Sequence, residues 1–409
     1  MYRRQFLAFC AAAVSLGRPD ISHAAVDGTL TIIVSLGAQR LTVYAGDRQI
    51  ATSPISSGKA GHATPRGIFS ILDKRRHHRS NIYSDAPMPY MQRLTWSGIA
   101  LHASNHVPSY PASHGCVRMP DAFARELYAM TGLAVHVVIA DEAPAPRPIR
   151  HKTLFQPPQP LDRMLSGPIG LRLTMKESGE DPVQIASAAS MNAETSSDAV
   201  AAEPAAPIRM LLTRRTHHDL TRDVQHLLNV LDFDAGEVDG FIGPQTGAAL
   251  KAFQKAVARP ANGVIAKADI DELYAATGKG PAPTGHLYAR QAFKPIFDVP
   301  VTIRQPERPL GAHLFTVDQM EGDTARWLAL SLADRPLRSV VNGTAIMPIE
   351  ADNDHDTSAA ALLDRLEIDA ATRQRIGRNL TPGSSLAISD NGLGPETGKG
   401  TDFVVLTQR

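Results

Sequence analysis

Between Gly28 and about Asp141, apolar and polar residues alternate in short runs. Leu30, Ile32, Val34 and Leu36 are interleaved with Thr31, Ile33 and Ser35, the period of two that describes a half-buried strand. Leu41 and Val43 continue the alternation, and Gly46-Asp47 supplies a turn before another strand near Gln49 to Thr52. Further strands are expected over Gly67 to Leu72, Arg93 to Trp96, Ile99 to His102 and His136 to Ala140. A helical period appears at about Asp121 to Met130, introduced by Pro120 and closed by Gly132. The pattern predicts a compact β-rich domain with one main helix over 28–141.

Periodicity then fades. Residues 142–210 are rich in Pro, Ala and Ser and read as a linker, interrupted by a short strand at Ile169 to Thr174. Helical spacing returns over 219–278. Leu220, Val224, Leu227, Leu228 and Leu231 share one face; Leu250, Phe253 and Val257 mark a second helix, and Ile270, Leu273 and Tyr274 a third. Residues 286–409 mix strand-like stretches (Val299 to Ile303, Phe403 to Leu406) with a helix near Ala359 to Glu367, an α+β region to which the sequence assigns no function. Gly392 to Thr401 superficially suggests a phosphate loop, but Leu393 holds the first glycine position and Gly400 replaces the magnesium-binding hydroxyl, so a flexible turn is expected. The fold class is therefore multidomain: a β-rich domain, a three-helix module and an α+β C-terminal region.

The first 24 residues read as an export signal: basic Arg3-Arg4, an Ala-rich apolar run to about Leu16, and Ser22-His23-Ala24 as the cleavage site. Arg3-Arg4-Gln5-Phe6-Leu7 resembles a twin-arginine signal, with an ordinary Sec signal as the alternative. The apolar run is too short to span a bilayer, so no transmembrane segment is expected in the mature protein, and its expected location is the periplasm. A formal charge of +1 over 409 residues gives no case for nucleic-acid binding.

Two cysteines remain to be explained, and Cys10 lies inside the export signal. Cys116 sits in Ser113-His114-Gly115-Cys116-Val117-Arg118, with His102 upstream. A lone thiol in an oxidising compartment is better explained by chemistry than by packing, and neighbouring histidines are the arrangement that yields a thiolate at neutral pH. The set His102, His106, His114 and Cys116 also contains spacings that suit zinc. Pro108 and Pro111 argue against a helix there and no His-Glu-x-x-His pattern occurs, so neither metal nor cofactor is expected. The basic run Lys74 to Arg79 reads either as a solvated loop or as a mobile flap that attracts carboxylates.

Ser113-His114-Gly115-Cys116-Val117-Arg118 with His102 upstream resembles the signature of the YkuD-type L,D-transpeptidases, and Thr64-Pro65-Arg66-Gly67-Ile68-Phe69, Pro87-Met88-Pro89-Tyr90 and Ser97 to His102 agree with it. Only ten residues separate His102 from Ser113, fewer than in many members, so the loop carrying substrate contacts is short. Val224-Gln225 to Leu231, Asp239-Gly240, Gly243-Pro244-Gln245-Thr246 and Phe253-Gln254 resemble the three-helix peptidoglycan-binding module of wall enzymes.

The resemblance implies a β-rich YkuD-like catalytic domain acting on peptidoglycan stem peptides. Cys116 would be the nucleophile and His102 its base, with its other ring nitrogen donating to a backbone carbonyl. His114, the rival base, would support the site electrostatically. The amides of Gly115 and Cys116 would form the oxyanion hole. Arg118 would hold a stem carboxylate or make a structural salt bridge, and Ser113 would orient the loop. The expected reaction forms a thioester with a tetrapeptide stem, releases D-alanine and transfers the stem to an amine, either on another stem or on an outer-membrane protein. The alternatives are an L,D-carboxypeptidase or endopeptidase, and a non-catalytic wall-binding scaffold.

Overall fold

The computed structural model describes residues 28–80, 85–158, 206–332, 355–394, 396–398 and 400–407. The expected export signal with Cys10, and the strand expected at Ile169 to Thr174, lie outside the described residues.

The first alternating run folds as a hairpin of β1 (Leu30–Ser35) and β2 (Arg40–Ala45), and β3 (Arg48–Pro54) continues it. On its other edge β1 runs parallel to β9 (His136–Ala140), which pairs antiparallel with β4 (Gly67–Ser70). A second sheet has the order β5 (Asp73–Arg75), β6 (Met91–Arg93), β7 (Ala100–Ala103), β8 (Val117–Met119), with β7 and β8 parallel. Helix α1 (Asp121–Met130) leaves β8 through Pro120 and packs Ala124 and Leu127 into a core with Ile32, Val34, Phe69, Leu101 and Met119.

The half-buried reading of β1 is corrected by the structure. Ile33, Ile68 and Val138 face away from that core, yet each is at most 1% exposed. They pack against Leu211, Leu314, Leu330 and Ala387 of a third, eight-stranded sheet. Its order is β10 (Arg147–Ile149), β15 (Thr324–Leu332), β14 (Ala312–Glu321), β17 (Ser385–Ser389), β11 (Ile208–Arg214), β12 (Gly285–Gln291), β13 (Lys294–Ile303), β16 (Leu366–Glu367). Strand β10 lies within the segment expected to be a linker, and β11 begins at its end. In β11, Ile208, Met210 and Leu212 enter the third sheet's own core while Leu211 enters the seam between sheets.

The three-helix module, α2 (His217–Val230), α3 (Pro244–Ala256) and α4 (Lys267–Ala276), is inserted between β11 and β12, whose ends Arg214 and Gly285 are ladder partners. It is thus anchored at both ends. One device holds it twice. Buried Gln225 donates to Asp239 Oδ1 and Phe241 O and accepts from Gly240 N; buried Gln254 donates to Asn262 Oδ1 and Val264 O and accepts from Gly263 N.

Beyond the module, α5 (His355–Leu363) ends earlier than the sequence suggests, and Leu366–Glu367 turns into β16 against β13. The Arg365 guanidinium donates to the carbonyls of Gln305, Arg308 and Pro309, which pins the chain in its extended course. Helix α6 (Ala370–Gly377) follows, capped by the Asp369 carboxylate on Thr372 N. The last strand, β18 (Val405–Leu406), pairs with β4 and so completes the edge of the first sheet.

Arg209 sits buried in the seam. It donates to His136 Nε2, to Ser385 Oγ at 3.3 Å and to Ala134 O at 2.7 Å, and its Nε lies 3.7 Å from Asp402 Oδ2. Asp402 also accepts from Ser70 Oγ at 3.3 Å. Burial, reinforced by the Arg209 charge, holds His136 neutral with a pKa well below its ordinary 6.5.

Replacing Arg209 with Leu should cost about 3–5 kcal/mol in denaturant unfolding, because Asp402 is left as an unpaired buried charge. Because the folded pKa of His136 lies below the unfolded value of 6.5, its contribution to stability is complete above pH 6.5 and is lost as pH falls below it. Thermal melts should show the midpoint falling on that side, with a shallower slope in His136→Gln.

Candidate active site

The Ser113–Cys116 loop is fixed before any substrate arrives. Ser113 N donates to Ser57 O at 2.9 Å and Lys59 N donates to Ser113 O at 3.0 Å. Ser113 Oγ donates to Cys116 O at 2.5 Å and accepts from Gly115 N at 3.1 Å. Thr64 Oγ1 donates to Gly115 O at 2.8 Å. Gly115 has φ +111°, and a Cβ there would approach Ile99 Cδ1 to 2.9 Å, so the turn requires glycine. Ser113 therefore orients the loop, and in this arrangement it takes up the Gly115 amide that the sequence assigns to an oxyanion hole.

Strand β7 brings His102 beside this loop, since Leu101 pairs with Val117 and His102 with Arg118. His102 is buried, and its Nδ1 hydrogen-bonds Ala103 O at 2.7 Å. Nδ1 must carry the proton in that bond, which leaves Nε2 free to accept one. Burial lowers its pKa to about 4, with smaller contributions from Arg118 and His78. Cys116 is half-buried against Met88, Met91 and Ala100, and its thiol donates to Gly98 O at 3.4 Å. Burial pushes the thiol pKa up from its ordinary 9.0, against the lowering effects of the Ala100 amide, Arg93 and Arg118. At rest the thiol is protonated and the His102 imidazole neutral. A thiolate at neutral pH, expected from the flanking histidines, is not what this environment favours.

The other histidines stand outside this pair. His114 is exposed at the mouth, its ring edge-on to His62 at 4.8 Å, and its pKa is lowered by desolvation and then by Lys59, His62 and Arg118. His106 is exposed on the following loop. Among the described residues no three His, Cys, Asp or Glu side chains come together as a metal site. Arg118 is half-buried between β7 and the Ser56 bridge and makes no ion pair among the described residues, so its guanidinium remains available to a ligand.

The basic run extends the β5–β6 hairpin through Tyr90 N to Arg76 O and Met88 N to His78 O. Much of its charge is engaged: Lys74 with Tyr128 O and Thr131 O, Arg75 with Asp73, Arg79 with Asp85. The hairpin reaches the site through Met88, which packs with Cys116, and through His78, 3.4 Å from Arg93 Nη2.

Glu396 is the residue that sequence reading missed. Its carboxylate accepts from Trp96 N at 2.8 Å and Ser97 N at 3.0 Å. That turn continues into Gly98, whose carbonyl receives the Cys116 thiol. A glutamate 280 positions beyond Cys116 (396 − 116) leaves no trace in local pattern.

Residues 29–139 match the family model described as the YkuD L,D-transpeptidase catalytic domain, and residues 217–267 match that of a "Putative peptidoglycan binding domain". Two proteins named "Putative L,D-transpeptidase YkuD" are similar. The one from Bacillus subtilis (strain 168) is 30% identical over 110 residues, 26% of this chain and 64% of the relative. The one from Bacillus licheniformis is 32% identical over 98 residues, 24% of this chain and 56% of the relative. The chain thus spans less than two thirds of either relative. Among solved structures, an L,D-transpeptidase (Yku) from Stackebrandtia nassauensis is 30% identical, covering 27% of this chain and 55% of that one at a TM-score of 0.26. An L,D-transpeptidase from Mycobacterium smegmatis is 21% identical, covering 27% and 58% at the same TM-score of 0.26.

Alkylation of Cys116 by a neutral reagent should be slow at neutral pH and rise above pH 9.0, following the raised thiol pKa. Glu396→Ala should free the Trp96–Gly98 turn and slow acylation of Cys116 by about tenfold or more, since small misplacements near reacting atoms are costly. Glu396→Gln, which keeps one acceptor oxygen, should fall between the two. Rates measured by intact-mass spectrometry check both expectations.

Proposed function

We propose that the protein is a cell-wall L,D-transpeptidase in which Cys116 is the nucleophile and His102 the general base. The observation that carries this reading is the His102 tautomer: with Nδ1–H committed to Ala103 O, the ring offers Nε2 as an acceptor beside the loop that holds the thiol. His102 Nε2 takes the thiol proton as sulfur attacks the carbonyl of the diamino acid that precedes the terminal D-alanine of a tetrapeptide stem. The C–N bond breaks, the imidazolium returns the proton to the leaving amine, and D-alanine departs from a thioester. An amine then attacks the thioester, His102 accepts its proton, and the thiol is restored as the new amide forms.

The Cys116 amide is the natural donor to the oxyanion, with Gly115 supplying the shape of the turn. Arg118, unpaired and adjacent to His102 in the ladder, suits a carboxylate of the stem. His114 lies at the mouth, its ring held neutral by its lowered pKa, while the nearby Lys59 charge favours an anionic substrate. The acceptor is the amine of a second stem, giving a cross-link between two diamino acids, or that of an outer-membrane protein. Water in its place would give carboxypeptidase or endopeptidase action.

Peptidoglycan-related domains suit an extracytoplasmic, wall-associated protein, and with the export signal the proposed location is the periplasm. No helix among the described residues is long and apolar enough to cross a membrane.

Cys116→Ser should abolish D-alanine release from a soluble tetrapeptide stem while keeping the fold, because an alcohol beside the same base is a far poorer nucleophile. His102→Ala should cost about 100-fold or more at neutral pH and recover in part at alkaline pH, where thiolate forms unaided. His114→Ala should cost much less and keep the wild-type pH profile. D-alanine release by the serine variant, or a larger loss and alkaline rescue in the His114 variant, would overturn the assignment.

A further inference from the structure

A cleft runs between helix α2 of the inserted module and strands β12 and β13 of the third sheet. Two adjoining cavities of about 570 Å³ and 280 Å³ share Asp219, Arg222 and Asp298 in their walls. Each lies near the size range of small-ligand sites.

The hydrogen-bonding state of its walls is unusual. Six buried side-chain nitrogens among the described residues have no partner, and four belong to residues that line this cleft: the donors Arg215 Nε, Arg215 Nη1 and Arg290 Nε, and His286 Nδ1, whose ring donates to Asp298 through Nε2. Buried donors without partners are rare and costly in folded proteins, so a cluster of them calls for a ligand that satisfies them. Two carboxylates in the same walls are engaged through both oxygens and a third through one. Asp219 accepts from Thr216 N, Thr216 Oγ1 and Tyr288 OH; Asp223 accepts from Arg215 Nη2 and from Tyr274 OH; Asp298 receives His286 Nε2 at 2.8 Å. Arg222 is exposed at the shared wall and has no ion pair among the described residues. The amino-terminal end of α2, a helix of 14 residues, lies at the same place and adds a positive end. The cleft therefore has spare donors, and the one carboxylate oxygen there without a hydrogen bond, Asp298 Oδ1, lies on a side chain 49% exposed to solvent. Its remaining wall is apolar: Tyr288, Phe297, Leu393 and Phe403.

We propose that this cleft binds the carboxylate-bearing stem peptide of peptidoglycan, separately from the Cys116 site. A stem carboxylate takes the donors of Arg215, Arg222 and Arg290, and the alanine methyl groups lie against the apolar wall. This rests on the peptidoglycan reading above. It gives the inserted module a function at its junction with the third sheet, where a stem that is not being cut is held while another occupies Cys116.

The test uses the full chain with Cys116 blocked by alkylation, so that no turnover occurs. A soluble tetrapeptide stem is titrated by calorimetry, and hydrogen exchange is followed with and without it. Residues 215–226 and 286–298 should become protected. Arg222→Glu should weaken binding by about tenfold or more, Arg222→Lys should restore most of it, and amidation of the stem carboxylates should weaken binding of the wild type similarly. Arg222 is exposed, so the charge reversal leaves the fold intact. The proposal is overturned if those segments gain no protection, meaning that water alone fills the cleft, or if binding ignores both Arg222→Glu and amidation. D-alanine release by the unblocked enzyme is measured in parallel. Release without cleft binding refutes the cleft alone, whereas its absence refutes the transpeptidase reading.

Discussion

The outer face of the six-stranded sheet is apolar, and burying it is the constraint on which the rest of the structure depends. Ile33, Ile68 and Val138 would lie in water if the first domain stood alone; instead they meet Leu211, Leu314, Leu330 and Ala387. Apolar contact supplies the attraction but little registration. Arg209 supplies that, because its guanidinium reaches His136 on one sheet, Ser385 on the other and Asp402 on the returning chain. A buried ion with this many fixed partners tolerates few relative positions of the two sheets. From this follow the course of the last residues, the strand they add beside β4, and the arrival of Glu396 at the turn next to Cys116.

The division into domains is consequently less linear than the order along the chain suggests. The third sheet recruits β10 from the Pro-rich segment, β11 from its end and its remaining strands from beyond the module. The module leaves Arg214 and returns at Gly285, two residues that face each other in a ladder. A helical unit held at both ends of one hairpin has a restricted set of orientations, unlike one on a free tether. The loop that carries Glu396 also contributes Leu393 to the cleft beside α2, so one short segment borders both the module and the turn beside Cys116.

Local pattern made part of this legible. β9 and α1 fall on the residues expected, a short apolar run and a helix introduced by Pro120, because their signals are local. The module helices were readable from apolar spacing, and the motif around Cys116 identified the site loop. What local pattern could not convey was coverage from a distance. Ile33 reads as an exception within a half-buried strand, and only the third sheet explains it. β11 begins directly after an Ala- and Pro-rich stretch, which hid its start within a linker-like composition. The resting state of Cys116 depends on burial against Met88, Met91 and Ala100, which outweighs its neighbouring charges. Motif spacing carries no information about that balance. Glu396 was invisible for the same reason as the seam: its partners are backbone amides of a remote turn.

The central claim is that Cys116 carries a stem peptide from a donor to an amine. The most direct measurement is mass spectrometry of purified peptidoglycan fragments and of the protein itself after short incubation. The account predicts loss of D-alanine from tetrapeptide stems, a transient protein mass increase localised to Cys116, and joined fragments linked between two diamino acids or to an added amine. Joined or trimmed fragments appearing without any adduct on Cys116, or intact tetrapeptides after prolonged incubation, would contradict it.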